Sequence, residues 1–159
     1  MRKVIILVCI LGVIILNGCD MNSKNSIYSN ERKISSKTNS FNLRITQQSV
    51  NEEGYEGEIQ FEGVDTIWKC ISDSESEVDV SYLLSVTKGM AKLVLIKPDG
   101  EVETIVESEK EVDRNNIIST KIALEKGENI IKLVGKNDAQ IYLKLKVPSG
   151  EFYTIGFNK

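Results

Sequence analysis

Val78-Asp79-Val80-Ser81-Tyr82-Leu83-Leu84-Ser85-Val86-Thr87 decides the fold. Val78, Val80, Tyr82, Leu84 and Val86 alternate with Asp79, Ser81, Leu83, Ser85 and Thr87. Successive side chains of a strand point to opposite faces, so this period of two reads as a half-buried strand. The pattern recurs downstream. Ile118, Thr120, Ile122 and Leu124 alternate with Ser119, Lys121 and Ala123, and Ile141, Leu143, Leu145 and Val147 with Gln140, Tyr142, Lys144 and Lys146. Ala91 to Ile96 is more continuously apolar, as suits a central strand covered on both faces.

Turn chemistry separates these runs. Pro98-Asp99-Gly100 predicts a hairpin, Glu125-Lys126-Gly127-Glu128 predicts a second, and Lys136-Asn137-Asp138 a third turn. Strands are also expected near 41–48, 55–61, 66–71 and 151–157, and no stretch reads convincingly as helix. Eight or nine short strands with regular turns predict an all-β fold, a single β-sandwich of jelly-roll or immunoglobulin-like kind over residues 41–159.

The N-terminus follows different rules. Arg2 and Lys3 precede an apolar run from Val4 to Leu16, broken only by Gly12. That run has the length of a secretory h-region and falls short of the roughly 20 residues a spanning helix needs. It ends in Leu16-Asn17-Gly18-Cys19. This segment resembles the signal peptide and lipobox of bacterial lipoprotein precursors, with Asn17 a departure where small or hydroxyl residues are usual. The resemblance covers residues 1–19 and implies cleavage after residue 18 and a diacylglycerol on the Cys19 sulfur. Often the new amine is acylated as well. Two acyl chains hold a protein firmly, since each buried CH₂ contributes about 0.8 kcal/mol. The implied location is the extracytoplasmic face of a bacterial cell envelope, with the membrane as a partner through the lipid.

Cysteine and charge bound the remainder. Cys9 leaves with the signal segment and Cys19 carries the lipid, so Cys70 stays unpaired and the domain relies on an apolar core. In the strand-like run Thr66-Ile67-Trp68-Lys69-Cys70-Ile71 it reads as a small buried residue. Residues 20–40 are rich in Ser and Asn, show no apolar period and carry a net charge of +2, which reads as a disordered tether. The part from 41 onward carries −7, a sign that offers nucleic acid no attraction. A basic tether beside an acidic domain suits an anionic membrane, and a tether also needs polar residues of either sign.

Histidine is absent, which removes the commonest general base and the commonest transition-metal ligand. No zinc site of the usual kind can be built from one free Cys. Asp73, Glu75, Glu77 and Asp79 place carboxylates at every second position, as a weak calcium loop would, although alternate residues of an extended segment also simply face water. Glu101 and Glu103 share a strand face and form the candidate pair for carboxylate-dependent hydrolysis, or an edge guarded against aggregation. Ser85-Val86-Thr87-Lys88 matches a Ser-x-x-Lys nucleophile motif, but sits on a strand without companion motifs. Trp68, with Tyr55, Phe152 and Tyr153, is the candidate for stacking on a ligand, or a core residue.

A second resemblance involves Leu124, Gly127, Asn129, Ile131 and Leu133, followed by Ile141, Leu143 and Leu145. The spacing resembles the closing strands of carbohydrate-binding jelly rolls and implies strand, turn and strand, with no binding residue transferable. The expectation is a non-enzymatic module, cofactor-free apart from the lipid, that binds a surface glycan, peptide or protein. A hydrolase or a structural or inhibitory envelope component are the alternatives.

Overall fold

The computed structural model describes residues 27–157. Cys19, the signal segment and residues 20–26 lie outside them. One helical turn, α1 (Glu31–Ile34), precedes seven strands: β1 (Ser40–Asn51), β2 (Gly54–Ser72), β3 (Ser76–Ile96), β4 (Val102–Ser108), β5 (Ile118–Leu124), β6 (Gly127–Lys146) and β7 (Glu151–Phe152). All pairings are antiparallel, in the order β1-β2-β6-β3-β4, with β5 added to β3 and β7 to β2.

The all-β expectation holds, and several of the expected strands are halves of longer ones. β2, β3 and β6 each run through both layers and bend at one level. Register shifts fall there, at Phe61/Gly63 between β2 and β6 and at Lys88/Met90 between β3 and β6. On β6 the same level holds Asn137 and Asp138, both in the left-handed region. The expected third turn at Lys136-Asn137-Asp138 is therefore a bulge inside one strand. Bulges bend a strand and raise its twist while pairing continues on either side. Gly63 and Gly89 make the bend feasible: both have positive φ, and a Cβ would meet Ser40 O at 2.1 Å or Lys136 O at 2.5 Å.

The bend divides one sheet into two layers. The first is β1, the start of β2, the end of β6, the start of β3, and β5. The second is β7, the end of β2, the start of β6, the end of β3, and β4. One core unites them, built from the apolar phases read in the sequence: Val80, Tyr82, Leu84 and Val86, Ile122 and Leu124, Ile141, Leu143 and Leu145, against Leu93, Leu95, Ile131 and Leu133. Pro98-Asp99-Gly100 forms the expected hairpin, closed by Gly100 N donating to Lys97 O. Glu125-Lys126 does not: β5 and β6 are unpaired with each other, and the turn passes from the first layer to the second. Buried Asn129 holds that passage, donating to Glu125 O and Gly127 O and accepting from Glu125 N.

The largest departure lies in the expected tether. Ile27, Tyr28 and Ile34 are buried against Val64, Val94, Ile96 and Val134, on the outer face of the second layer. Tyr28 donates to Glu107 of β4, and the ammonium groups of Lys92 and Lys136 sit over its ring. Three apolar side chains among Ser and Asn show no period, yet they cover a face that would otherwise meet water. Residues 27–39 thus belong to the domain.

Replacing Ile34, fully buried, with Ala removes that cover. The expected cost is about 2–5 kcal/mol in urea unfolding. A change within about 0.5 kcal/mol, ordinary for a surface residue, would place the segment outside the folded unit.

Candidate functional site

Strand alternation that sends Ile59, Ile141 and Leu143 inward sends their neighbours out. On the outer face of the first layer, Glu56, Glu58 and Gln60 of β2 stand opposite Lys144, Tyr142 and Gln140 of β6. Ser85 of β3 pairs with Tyr142 on the other side. A depression of about 280 Å³ opens here, lined by Glu58, Gln60, Thr87, Gln140 and Tyr142, with Glu111 and Arg114 from the β4–β5 connection.

The connection is pinned so that Arg114 reaches over the sheet. Ser85 Oγ accepts from Val112 N at 3.0 Å and donates to Val112 O at 3.3 Å, and Val86 N donates to Lys110 O. The Arg114 guanidinium lies 4.1 Å from the Tyr142 ring centroid and donates to Glu58 Oε2 at 3.2 Å. Tyr142 donates its hydroxyl to Glu56 Oε1 at 2.5 Å, and Lys144 Nζ stands 3.3 Å from the same carboxylate. The Tyr142 hydrogen bond, helped by Lys144, holds the Glu56 carboxyl below its usual range. Burial, then the Glu56 bond, raises the Tyr142 phenol. These charges are matched in pairs, and amide and hydroxyl groups fill the floor: Thr87 Oγ1 donates to Gln140 Oε1.

A second polar site occupies a seam in β2. β1 pairs with β2 only as far as Val64, and β7 pairs at Trp68 and Lys69, so residues 65–67 have no strand on that edge, although β6 pairs with Asp65 and Thr66 on the other. Side chains and a loop supply the missing partners, as buried backbone groups require. Asp65 Oδ1 accepts from Thr66 N and Asn39 Nδ2, Asp65 Oδ2 accepts from Gly156 N, and Ile67 O accepts from Tyr153 N. On the outer face nearby, Lys132 is 1% exposed and donates to Ser36 O at 2.6 Å and Asn39 Oδ1 at 3.0 Å. Burial pulls its ammonium down to about 8, and Asp65 opposes that fall.

The residues singled out by sequence fare unevenly. Trp68 is not a platform: it is fully buried and donates Nε1 to Ser149 O, because its strand position faces the core. Tyr55 is buried as well and donates to Gln48 Oε1, and burial raises its phenol. Asp73 and Glu75 fall at the β2–β3 bend while Glu77 and Asp79 run along β3. Alternate strand residues stand about 7 Å apart at 3.3 Å per residue, so these carboxylates do not converge. Among the described residues no group of three ligating side chains could hold a metal ion. Glu77 instead faces Lys121 at 3.5 Å. Glu101 and Glu103 share one cation, Lys97 Nζ, at 3.0 and 3.5 Å. Ser85 is the pin described above, and Cys70 is a half-buried free thiol packed on the core. Tyr142 was readable as the aromatic on the polar side of its strand. Lys132, between outward Ile130 and Val134, was readable as a charge on a covered face.

No family model matches the chain, and no curated protein matches it. Among solved structures it is similar to a GH26-CBM35 β-(1,4)-mannanase from Podospora anserina, with a TM-score of 0.39 and 14% identity, covering 74% of this chain and 27% of that one.

Lys132 has a pH signature. Between about 8 and the unfolded value near 10.4, the folded chain has shed this proton while the unfolded chain keeps it. The unfolded state then binds more protons, so stability rises with pH. Above pH 10 the raised tyrosines Tyr28, Tyr55 and Tyr153 act in the opposite sense. Urea unfolding at pH 8 and pH 9.5 is expected to show a rise that Lys132→Met lacks. Equal slopes in both proteins would refute the assignment.

Proposed function

We propose that this chain is a membrane-anchored extracytoplasmic lipoprotein whose β-sandwich is a non-enzymatic glycan-binding module. The depression around Tyr142 is the observation that carries the binding half of this reading. A glycan presents hydroxyl groups at its edges and C–H faces above and below, and it calls for polar groups that fix orientation around an aromatic ring. Gln60, Thr87 and Gln140 supply amides and a hydroxyl, and the half-buried Tyr142 supplies the ring. Arg114 is matched by Glu58 and Lys144 by Glu56, so neither cation is left free to select an anion, and Glu111 leaves the lining with one net negative charge. That arrangement favours a neutral saccharide over an anionic one. Arg114 lies across the ring and would swing off it when a sugar stacks.

The anchoring half rests on residues 2–19, where a basic start, an apolar run of h-region length and Leu-Asn-Gly-Cys occur in order. Intact mass of the protein from bacterial membranes is expected to show a chain starting at Cys19 with diacylglycerol attached. A start elsewhere, or an unmodified Cys19, would remove the anchor.

Binding is tested by titrating neutral polysaccharides into the wild type and Tyr142→Ala. The variant is expected to bind at least tenfold more weakly, about 1.4 kcal/mol, with its melting temperature unchanged. A wild type that binds no neutral saccharide at millimolar concentration, or a variant that binds as tightly, would overturn the reading.

A further inference from the structure

We propose that the seam pocket beside β2 binds a phosphate group between Lys37 and Lys69. The pocket, about 370 Å³, is lined by Lys37 and Asn39 of the N-terminal segment, Phe41 of β1, Asp65, Thr66 and Lys69 of β2, and Tyr153 and Gly156 beyond β7. Two cations and one carboxylate face it. The carboxylate is already engaged: three N–H groups donate to Asp65, at 2.7, 2.8 and 2.7 Å, and Lys132 lies within its field. Glu151, the nearby acid, accepts the Tyr153 hydroxyl at 2.6 Å.

Neither lysine is neutralised in this way. Among the described residues no salt bridge involves Lys37 or Lys69, and Lys69 Nζ lies 5.6 Å from the Tyr153 ring centroid. Lys97, Lys121, Lys144 and Lys146, by contrast, each pair with a carboxylate. Two ammonium groups from separate segments thus line one cavity, and the acids nearest them, Asp65 and Glu151 across from Lys69 on β7, accept hydrogen bonds from other donors. A phosphate group answers this arrangement, with up to two charges and three oxygens that accept from several donors at once. Phe41 and Tyr153 would pack against whatever carries it.

The phosphate could belong to a free phosphate ester or polymer, or to a lipid headgroup, and the experiment separates them. Inorganic phosphate is titrated into the full chain while backbone amide NMR signals are followed, alongside Lys37→Gln/Lys69→Gln, which leaves the Asp65 network whole. Shifts at Asn39, Thr66, Lys69 and Gly156 at millimolar phosphate, at least tenfold weaker in the double variant at equal melting temperature, are expected. Sedimentation with phosphatidylglycerol or phosphatidylcholine vesicles then reads the source. Loss of binding by the variant to the anionic vesicles alone marks a headgroup site. Equal vesicle binding with retained phosphate shifts marks a soluble ester. No shift up to 10 mM phosphate, or the same shift in the double variant, overturns the proposal and leaves the Tyr142 reading untouched.

Discussion

One bend governs the molecule. Three central strands must turn together at Gly63, at Gly89 and at Asn137-Asp138, or the sheet stays flat and its apolar side meets water. Bending converts one sheet into two layers that cover each other, and pairing is kept on both sides of the bend. Every later feature inherits this. The core is the inner surface of the bend, and the β4–β5 connection crosses between the layers because β4 extends one half of β3 and β5 the other. Arg114 rides on that crossing, so its place over Tyr142 is a consequence of the bend.

Alternation was largely legible because it reports a local fact, which side chain points where, although Leu83 and Ser85 of the outer phase are buried as well and Ile118 is exposed. Val80, Tyr82, Leu84 and Val86 are buried as their period requires. The continuous apolar run Ala91–Ile96 was legible too: Leu93 and Leu95 face the core while Val94 and Ile96 face the N-terminal segment. The identity of the cover was not legible. Ile27, Tyr28 and Ile34 are held by a surface that is built from residues far along the chain, and nothing local marks them. The turn signal at Lys136-Asn137-Asp138 misled for a related reason, whereas Pro98-Asp99-Gly100 did not. Asn137-Asp138 has the chemistry of a turn because a bulge needs the same left-handed backbone, and only the partner strands decide which one forms.

Site residues divide along the same line. Trp68 and Tyr55 drew notice as aromatics, but their strand phase sends them inward. Tyr142 occupies the opposite phase to Ile141 and Leu143, and that phase alone places an aromatic ring on the solvent side. The seam escapes any single-strand reading. It exists where β1 stops and β7 has not begun, and its members Asn39, Asp65, Lys132 and Gly156 are gathered from four separate stretches.

The two outer faces are unequal for a physical reason. The second layer has apolar residues on its outside, Val64, Val94, Ile96 and Val134, and needs a cover. The first carries paired charges, amides and a ring, and is stable in water as it stands. The segment leading back toward Cys19 supplies the cover, so it is spent on the second layer. On the proposed anchoring at Cys19, the chain therefore approaches the domain along its covered layer. The same packing that covers the second layer leaves the face around Tyr142 uncovered.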